Sequence, residues 1–416
     1  MIYKDKCQND LNVVGEAIHQ IKRTGSTSSI KEENYSKDNL ILSGSDDGVR
    51  LKSESHLWGI NSVLILMDNS LNVSRLDGVR FVDSQLKKAA AQCELSILEK
   101  KQNFLSDVEI YSTIEQLDLS ESLVTTQHFY NKLLARFRRY GAGKKEQDRQ
   151  KVQQYQKTLA TFEIGQRSCD ADKSVTSCLE ISEKINNTRN KLSSVLGYPN
   201  PSMNILDQTM ALNKDSVFEF LKNTEDRLRH FDGEITTKKT EINLLHYNHF
   251  RDGLFEAVAT LLSIEFLPVN KTTDTDNKKM LSNIYGYIAK SYDVIKDGKI
   301  VGHLEIDTLD PLNGNINNQF YPIKKGIKGS HASDDQLPEG VIILALVGED
   351  KTETQEQLIT VDTANDFVRL LGEYLADLSS GEQEWILNSG IPVENDFKHV
   401  PGYVFQQWLY RPKLIK

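Results

Sequence analysis

The 416-residue sequence has few cysteines and no long run of apolar residues. Four cysteines, Cys7, Cys93, Cys169 and Cys178, are too few for a disulfide scaffold, so we expect free thiols in a reducing compartment. A bridge between Cys169 and Cys178, which would close a small loop, stays open as the alternative. The longest purely apolar stretch, residues 341–347, is too short to span a bilayer as a helix.

The sequence also has no excess of basic residues, and we do not expect its first residues to be a secretory leader. The 50 Lys and Arg residues stand against 59 Asp and Glu residues, and the net charge of −9 argues against a dedicated nucleic-acid-binding protein. Residues 1–23 mix acidic and basic side chains and have no apolar core. This segment is therefore unlike a secretory signal, and its acidic residues make it unlike an organelle transit peptide.

Most of the apolar residues recur at the spacing of helices. This pattern predicts a mostly α, multi-helical fold with a small β-hairpin or sheet insert. Residues 24–55, rich in Ser, Gly and Asp, indicate a solvated loop or flexible arm. Apolar stripes at three- to four-residue spacing predict helices over residues 83–97, 129–137 and 152–162, near 179–195, 215–230 and 250–263, and after Asp362.

Two of these helices are predicted to form an antiparallel hairpin. Phe129, Leu133 and Phe137 form the apolar stripe of the first, which Gly141 and Gly143 end. The second follows directly, with its own stripe over residues 152–162. A short connection of this kind favours packing of the two helices on each other.

The period changes near residue 290. Asp297-Gly298 separates two alternating segments within residues 292–307, which predicts a β-hairpin with a two-residue turn. The β-branched run of residues 341–347 predicts a buried strand. Residues 271–278 and 308–335 are polar and indicate loops.

Three short motifs suggest chemistry, but simpler explanations are favoured. The segment 141–144, Gly-Ala-Gly-Lys, lacks the full phosphate-loop pattern and follows a helix, so it indicates a turn. His246 and His249 have ligand-like spacing, but no third ligand is near them in sequence, so two surface histidines are expected. The basic patch favours a solvated helix end over RNA contact; its members are Arg136, Arg138, Arg139, Lys144 and Lys145.

From about residue 80 onward, several short segments are similar to segments of a known protein family and follow one another in the same order. They are residues 132–141, 196–199, 209–211, 217–221, 253–255, 264–266, 292–307, 337–338, 345–347 and 396–397, then Pro401, Trp408 and residues 411–414. Together they resemble the thimet oligopeptidase and mitochondrial intermediate peptidase family of zinc metallopeptidases. The resemblance implies a multi-helical oligopeptidase-like fold with a small β insert.

The same resemblance locates a degenerate zinc site. Family members hold zinc with H-E-x-x-H on a helix and a downstream Glu; residues at i and i+4 share a helix face, and the Glu between them is the general base. Here the matching helix reads Gly372-Glu373-Tyr374-Leu375-Ala376. Both histidine positions are lost, to Gly372 and Ala376, whereas the general-base position survives as Glu373. His399 occupies the position of the downstream Glu.

A catalytic zinc site needs three protein ligands, and one imidazole cannot supply them. The resemblance therefore implies no metal, no cofactor and no catalytic residue, with Glu373 as a vestige of the general base. A solvated or salt-bridged glutamate is the favoured interpretation of Glu373, over a group that touches a bound peptide. For His399 a structural role is favoured over metal ligation.

The resemblance also divides the chain into an N-terminal extension (1–56, partly flexible), an N-terminal helical region (57–235) and a degenerate catalytic-like region (236–416). The last region lacks the C-terminal portion of the family. We expect an inactive homologue that serves as a structural or protein-binding subunit of a larger mitochondrial assembly, with peptides in a residual cleft as a further ligand class. Two alternatives remain: an active enzyme whose atypical metal site recruits His246, His249 and His399, and a half-enzyme completed by a separate chain.

Overall fold

The computed structural model describes residues 2–24, 45–81, 83–167, 175–230, 244–269, 288–309, 317–329, 335–346, 357–390 and 396–410. Within these residues the fold is mostly α, with a small sheet inserted late in the chain, as the sequence predicts. The α-helices are α1 Ile2–Thr24, α2 Ser45–Arg80, α3 Ser84–Leu105, α4 Val108–Glu115, α5 Val124–Arg139, α6 Glu146–Arg167, α7 Val175–Leu196, α8 Pro201–Leu206, α9 Lys214–Arg229, α10 Tyr247–Leu262, α11 Val361–Ser379 and α12 Val400–Gln406.

The strands are β1 Leu244–His246, β2 Ile264–Val269, β3 Ile288–Lys296, β4 Lys299–Leu309, β5 Gln319–Lys324, β6 Glu339–Ala345 and β7 Leu358–Thr360. Strands β1 and β7 form a two-stranded antiparallel sheet. The five-stranded sheet has the order β2-β3-β4-β6-β5, in which only the β4–β6 pair is parallel. A 3₁₀ turn, Gln407–Tyr410, follows α12.

The first five helices share the largest N-terminal core. Asp83 caps α3 as predicted, because its carboxylate accepts hydrogen bonds from the backbone of Gln85 and Leu86. Phe129 and Phe137 of α5 are completely buried in this core. The loop prediction for residues 24–55 is wrong for its last part, since α2 begins at Ser45; residues 25–44 lie outside the described residues.

The predicted hairpin of α5 and α6 is also wrong. Helix α6 packs instead on α7, where Val152 and Leu159 meet Ile185 and Leu192. The physical reason is that the apolar stripe of α5 is already covered by the N-terminal core. Helix α5 ends at a turn that begins at Gly141, as predicted; the φ of Gly141 is 88°. This turn directs the chain away from α5.

The disulfide between Cys7 of α1 and Cys93 of α3 contradicts the expectation of free thiols. Their Cα atoms are 6.0 Å apart, a separation typical of disulfides. Cys178 is also disulfide-bonded, whereas Cys169 lies outside the described residues. Two cysteines 86 positions apart are brought together only by helix packing, so sequence spacing gave no signal for the first bridge.

The β-hairpin forms as predicted, with Asp297 and Gly298 both at positive φ in its turn. Strand β6 is the predicted buried strand. The loop prediction for residues 308–335 is wrong at β5, which pairs antiparallel with β6. The strand escaped notice because Pro322 interrupts its short alternating pattern, a feature that edge strands tolerate. Residues 271–278, predicted as a loop, lie outside the described residues.

Helices cover both faces of the sheet. On one face α11 packs over Ile342 and Leu344, and on the other Leu76 of α2 packs over Val341 and Ile343. Next to this contact, Arg80 at the end of α2 forms ion pairs with Glu305 and Asp307 of β4. Successive side chains of β6 point alternately to α11 and to α2, so both faces of the strand are buried. This explains why its sequence is continuously apolar.

The segment that follows α11 joins the sheet region to the N-terminal helices. Trp385 is buried and stacks on Phe129, with ring centroids 4.5 Å apart. The Asn61 side chain bonds the backbone of this segment twice, donating to the Glu384 carbonyl (3.1 Å) and accepting from the Ile386 amide (2.9 Å). The described helices include none with the length and apolar character needed to cross a membrane.

Candidate functional site

Three of the residues that the resemblance assigns to zinc-motif positions, Gly372, Glu373 and His399, lie where α12 crosses α11. Helix α11 begins at the Thr360 cap, whose hydroxyl accepts a hydrogen bond from the Thr363 amide at 3.1 Å. Its apolar stripe faces the sheet, and α12 covers much of the remaining surface. As a result Gly372, Glu373 and Tyr374 are all buried.

The crossing is close because glycines lie on both helices. A Cβ atom on Gly372 would lie 2.5 Å from Cβ of Phe405, and one on Gly402 would lie 2.6 Å from the Arg369 carbonyl oxygen. Real Cβ atoms do not approach other heavy atoms at such distances. Position 372 therefore has no room for an imidazole while Phe405 keeps its place.

Two side chains contact the Glu373 carboxylate. Arg369, one turn earlier on α11, donates from Nη1 to Oε1 at 2.7 Å, and Nδ1 of His399 lies 2.9 Å from the same oxygen. A carboxylate only accepts hydrogen bonds, so Nδ1 of His399 carries the hydrogen in this pair. The Glu373 side chain is 3 % exposed and that of His399 is 49 % exposed, so His399 forms the solvent side of the site.

Arg369 is held in turn by its surroundings. Its second Nη atom donates to Asp366 at 3.3 Å, and its guanidinium lies 5.6 Å from the ring centroid of Tyr403 on α12. The site is thus an Arg–Glu–His cluster at a helix crossing. The favoured interpretation of Glu373 is a solvated or salt-bridged side chain, and these contacts correspond to the salt-bridged form. The structural role of His399 stays a prediction.

These residues do not fit a catalytic zinc ion. Of the motif positions, only His399 carries an imidazole, and its Nδ1 is used by Glu373. Within the described part of the chain, no group of three or more His, Cys, Asp or Glu side chains is arranged to hold a metal. His246 and His249 are both exposed, with ring centroids 5.8 Å apart, and do not form such a group with His399.

The three arginines of the basic patch pair with acidic groups. Arg138 donates to the Tyr111 hydroxyl (3.1 Å) and to Glu115, and Arg139 pairs with Asp207 at 3.4 Å. These partners favour the prediction of a helix end over that of an RNA-binding surface. Residues 141–144 form the turn after α5, as expected from their position.

A cavity of about 200 Å³ lies between α3 and α6, and a larger one of about 330 Å³ beside it is also lined by residues of α2, α7 and α8. No residue of α11 or α12 lines either one. Glu94, the most deeply buried charge of the larger cavity, is bound by Arg75 and Arg167. The site at α11 and the cavities are therefore separate features.

Sequence reasoning missed Arg369, Gly402 and Phe405. The i, i+4 spacing of Arg369 and Glu373 is visible in the sequence and would have identified that ion pair. The contacts of Gly402 and Phe405 depend on how α12 crosses α11, which no local pattern encodes.

Comparison with known proteins adds no assignment. No family model matches the sequence, and no curated protein matches it significantly.

Proposed function

We propose that this protein is a catalytically inactive homologue of the zinc oligopeptidases of the thimet oligopeptidase family, and that it serves as a structural or protein-binding subunit. The observation that carries the proposal is the filled position of the first zinc ligand. Gly372 is in contact with α12, so the position that would need an imidazole has no space for one.

The state of Glu373 supports the same conclusion. A general base must reach a water molecule or the substrate. The Glu373 carboxylate instead binds Arg369 and His399 at a buried helix crossing. The Arg369–Glu373 pair lies within α11, and the contact with His399 joins Glu373 to the start of α12, which is a structural role.

A binding role is supported by apolar surface elsewhere. Helix α9 has no buried residue, and its Phe218, Phe220, Leu221 and Leu228 side chains are each more than half exposed. Single exposed apolar side chains are ordinary, but several on one helix are typical of an interaction surface. The assembly is proposed to lie in mitochondria, where the Cys7–Cys93 bridge would require a compartment that oxidises thiols.

The proposal is tested by peptide hydrolysis. Purified protein, supplemented with zinc, is incubated with a mixed peptide library, and the products are read by mass spectrometry with and without a chelator. We expect no chelator-sensitive cleavage. Cleavage that a chelator abolishes, and that Glu373→Gln also abolishes, would refute it; cleavage that persists in Glu373→Gln would identify a contaminating peptidase.

A further inference from the structure

Helix α9 carries a seam of exposed residues at the spacing of a coiled coil. Lys214, Phe218, Leu221, Glu225 and Leu228 follow one another at intervals of four, three, four and three residues. At 3.6 residues per turn they lie within about 80° around the helix axis. All five are exposed, and Phe218, Leu221 and Leu228 are 56 %, 53 % and 69 % exposed.

The helix is well formed but makes few contacts with the rest of the described chain. Asn213 caps it, since its side chain accepts a hydrogen bond from the Ser216 amide at 2.9 Å. Only Val217 and Thr224 are half-buried, and they lie to one side of the seam. The segment before α9 is fixed, because Asp396 accepts hydrogen bonds from the backbone amides of Met210 and Ala211.

The seam is complementary to itself when two copies run antiparallel. A two-fold axis midway between residues 219 and 220 places Lys214 of one copy opposite Glu225 of the other, and Phe218 opposite Leu221. It also places Leu228 of each copy over the segment before the partner's α9, where Met210 and Leu212 are exposed. A cation meets an anion and apolar side chains meet apolar side chains in every layer.

A parallel pair would not be complementary. It would place Lys214 opposite Lys214 and Glu225 opposite Glu225, and charged residues at seam positions are known to set orientation and register in this way. A membrane surface is also disfavoured as the occupant. The polar face of α9 carries as many acidic as basic residues (Asp215, Glu219 and Asp226 beside Lys222, Arg227 and Arg229), whereas helices that bind anionic membranes carry mainly Lys and Arg there.

We propose that α9 is a homodimerisation helix, which pairs antiparallel with α9 of a second copy of this chain through the seam of Lys214, Phe218, Leu221, Glu225 and Leu228. The inference deepens the proposed protein-binding role, on which it rests, by naming the partner. It does not depend on the loss of peptidase activity. Dimerisation and zinc chemistry are therefore measured separately, and each can fail without the other.

The test is sedimentation equilibrium of the full chain over a concentration series from about 1 to 200 μM. We expect a reversible monomer–dimer equilibrium. Leu221→Glu, which places two carboxylates against the phenyl rings, weakens the dimer at least tenfold. Lys214→Glu and Glu225→Lys each weaken it several-fold, because each creates a like-charge layer, and the double variant recovers most of the loss.

Arg227→Glu is the matched control. It makes the same charge change as Lys214→Glu, but about 140° around the helix axis from the centre of the seam, and it should leave the dimer unchanged. Circular dichroism of each variant verifies that the helix content is kept. Glu225→Lys and the double variant both lose the Glu225–Arg229 pair, so this loss cancels when these two variants are compared.

Three results would overturn the proposal. The first is a wild-type chain that stays monomeric over the whole series, and the second is a dimer that Leu221→Glu leaves intact. The third is a double charge swap no better than the two single changes. Vesicles of anionic lipid that bind the monomer through α9 would identify a membrane as the occupant and would likewise overturn it.

Discussion

Helices α11 and α9 are both amphipathic, yet one is buried and the other is exposed. Helix α11 packs between the sheet and α12, and twelve of its 19 residues are buried. Helix α9 has a comparable apolar stripe and no buried residue. Periodicity therefore predicts that a helix has an apolar face, but it does not tell whether that face meets the core of its own chain or another molecule.

The largest expected difference between the two helices comes from truncation of a phenylalanine. Phe367→Ala on α11 removes a completely buried ring and should lower the free energy of unfolding by about 3–5 kcal/mol. Phe220→Ala on α9 removes a ring that is 68 % exposed and lies off the dimer seam, and it should cost less than about 0.5 kcal/mol. Urea denaturation measures both, and equal losses would show that the Phe220 face of α9 packs against the rest of its own chain in solution.

The next prediction compares two Arg–Glu pairs at the same i, i+4 spacing. Arg369→Met leaves Glu373 buried with only His399 as partner, and should destabilise the protein by about 2–4 kcal/mol. Arg229→Met removes an exposed partner of Glu225 and should cost less than about 0.5 kcal/mol. Thermal and urea unfolding of the two variants give the comparison. A small effect of Arg369→Met would mean that water reaches Glu373.

A third prediction extends the comparison to pH. Burial raises the pKa of Asp307 to about 7, against the opposing effect of Arg80. Because the folded state then binds more protons than the unfolded state between the ordinary aspartate pKa and about 7, this group makes stability fall as pH rises through that window. The slope is on the order of 1 kcal/mol per pH unit.

Asp307→Asn should remove this slope from the pH dependence of the free energy of unfolding. Asp215→Asn on exposed α9 is the matched control and should leave the slope in place. An Asp307→Asn protein with the wild-type pH profile would show that Arg80 keeps the Asp307 carboxylate ionised throughout the window.

The smallest effect is expected for glycine substitutions in two helices. Gly372→Ala places a Cβ against Phe405 and should destabilise the protein by about 1–3 kcal/mol, although alanine favours helices. Gly165→Ala on α6 meets no heavy atom within 4 Å and should stabilise it by about 0.5–1 kcal/mol. If urea denaturation shows that Gly372→Ala lowers the free energy of unfolding and Gly165→Ala raises it, the result would support the conclusion that position 372 is filled by α12. A stabilising Gly372→Ala would mean that α12 can move away, and would reopen the position for a histidine.

Local features of the fold could be predicted from the sequence, and contacts between distant segments could not. The Asp83 cap, the hairpin at Asp297-Gly298 and α11 depend on neighbouring residues and are confirmed. The partner of α6 and the Cys7–Cys93 bridge depend on the packing of helices far apart in sequence, and both differ from expectation. Strand β5 was missed because it has only six residues and Pro322 interrupts its alternating pattern.

The candidate site divides in the same way. Glu373 and His399 could be singled out only through the family resemblance, and the Arg369 pair only through helix spacing. Their meeting depends on the crossing of α11 and α12, where glycines allow the approach. Likewise the seam of α9 is visible in the sequence, but its exposure is a property of the folded chain.

The most direct test of the account is the zinc content of the protein isolated from its native source, measured by elemental analysis per mole of chain. Loss of the metal site predicts zinc far below one equivalent, with no change after dialysis against a chelator. One equivalent of zinc, removed by the chelator and restored by added zinc, would contradict the proposal that this chain has lost its peptidase chemistry.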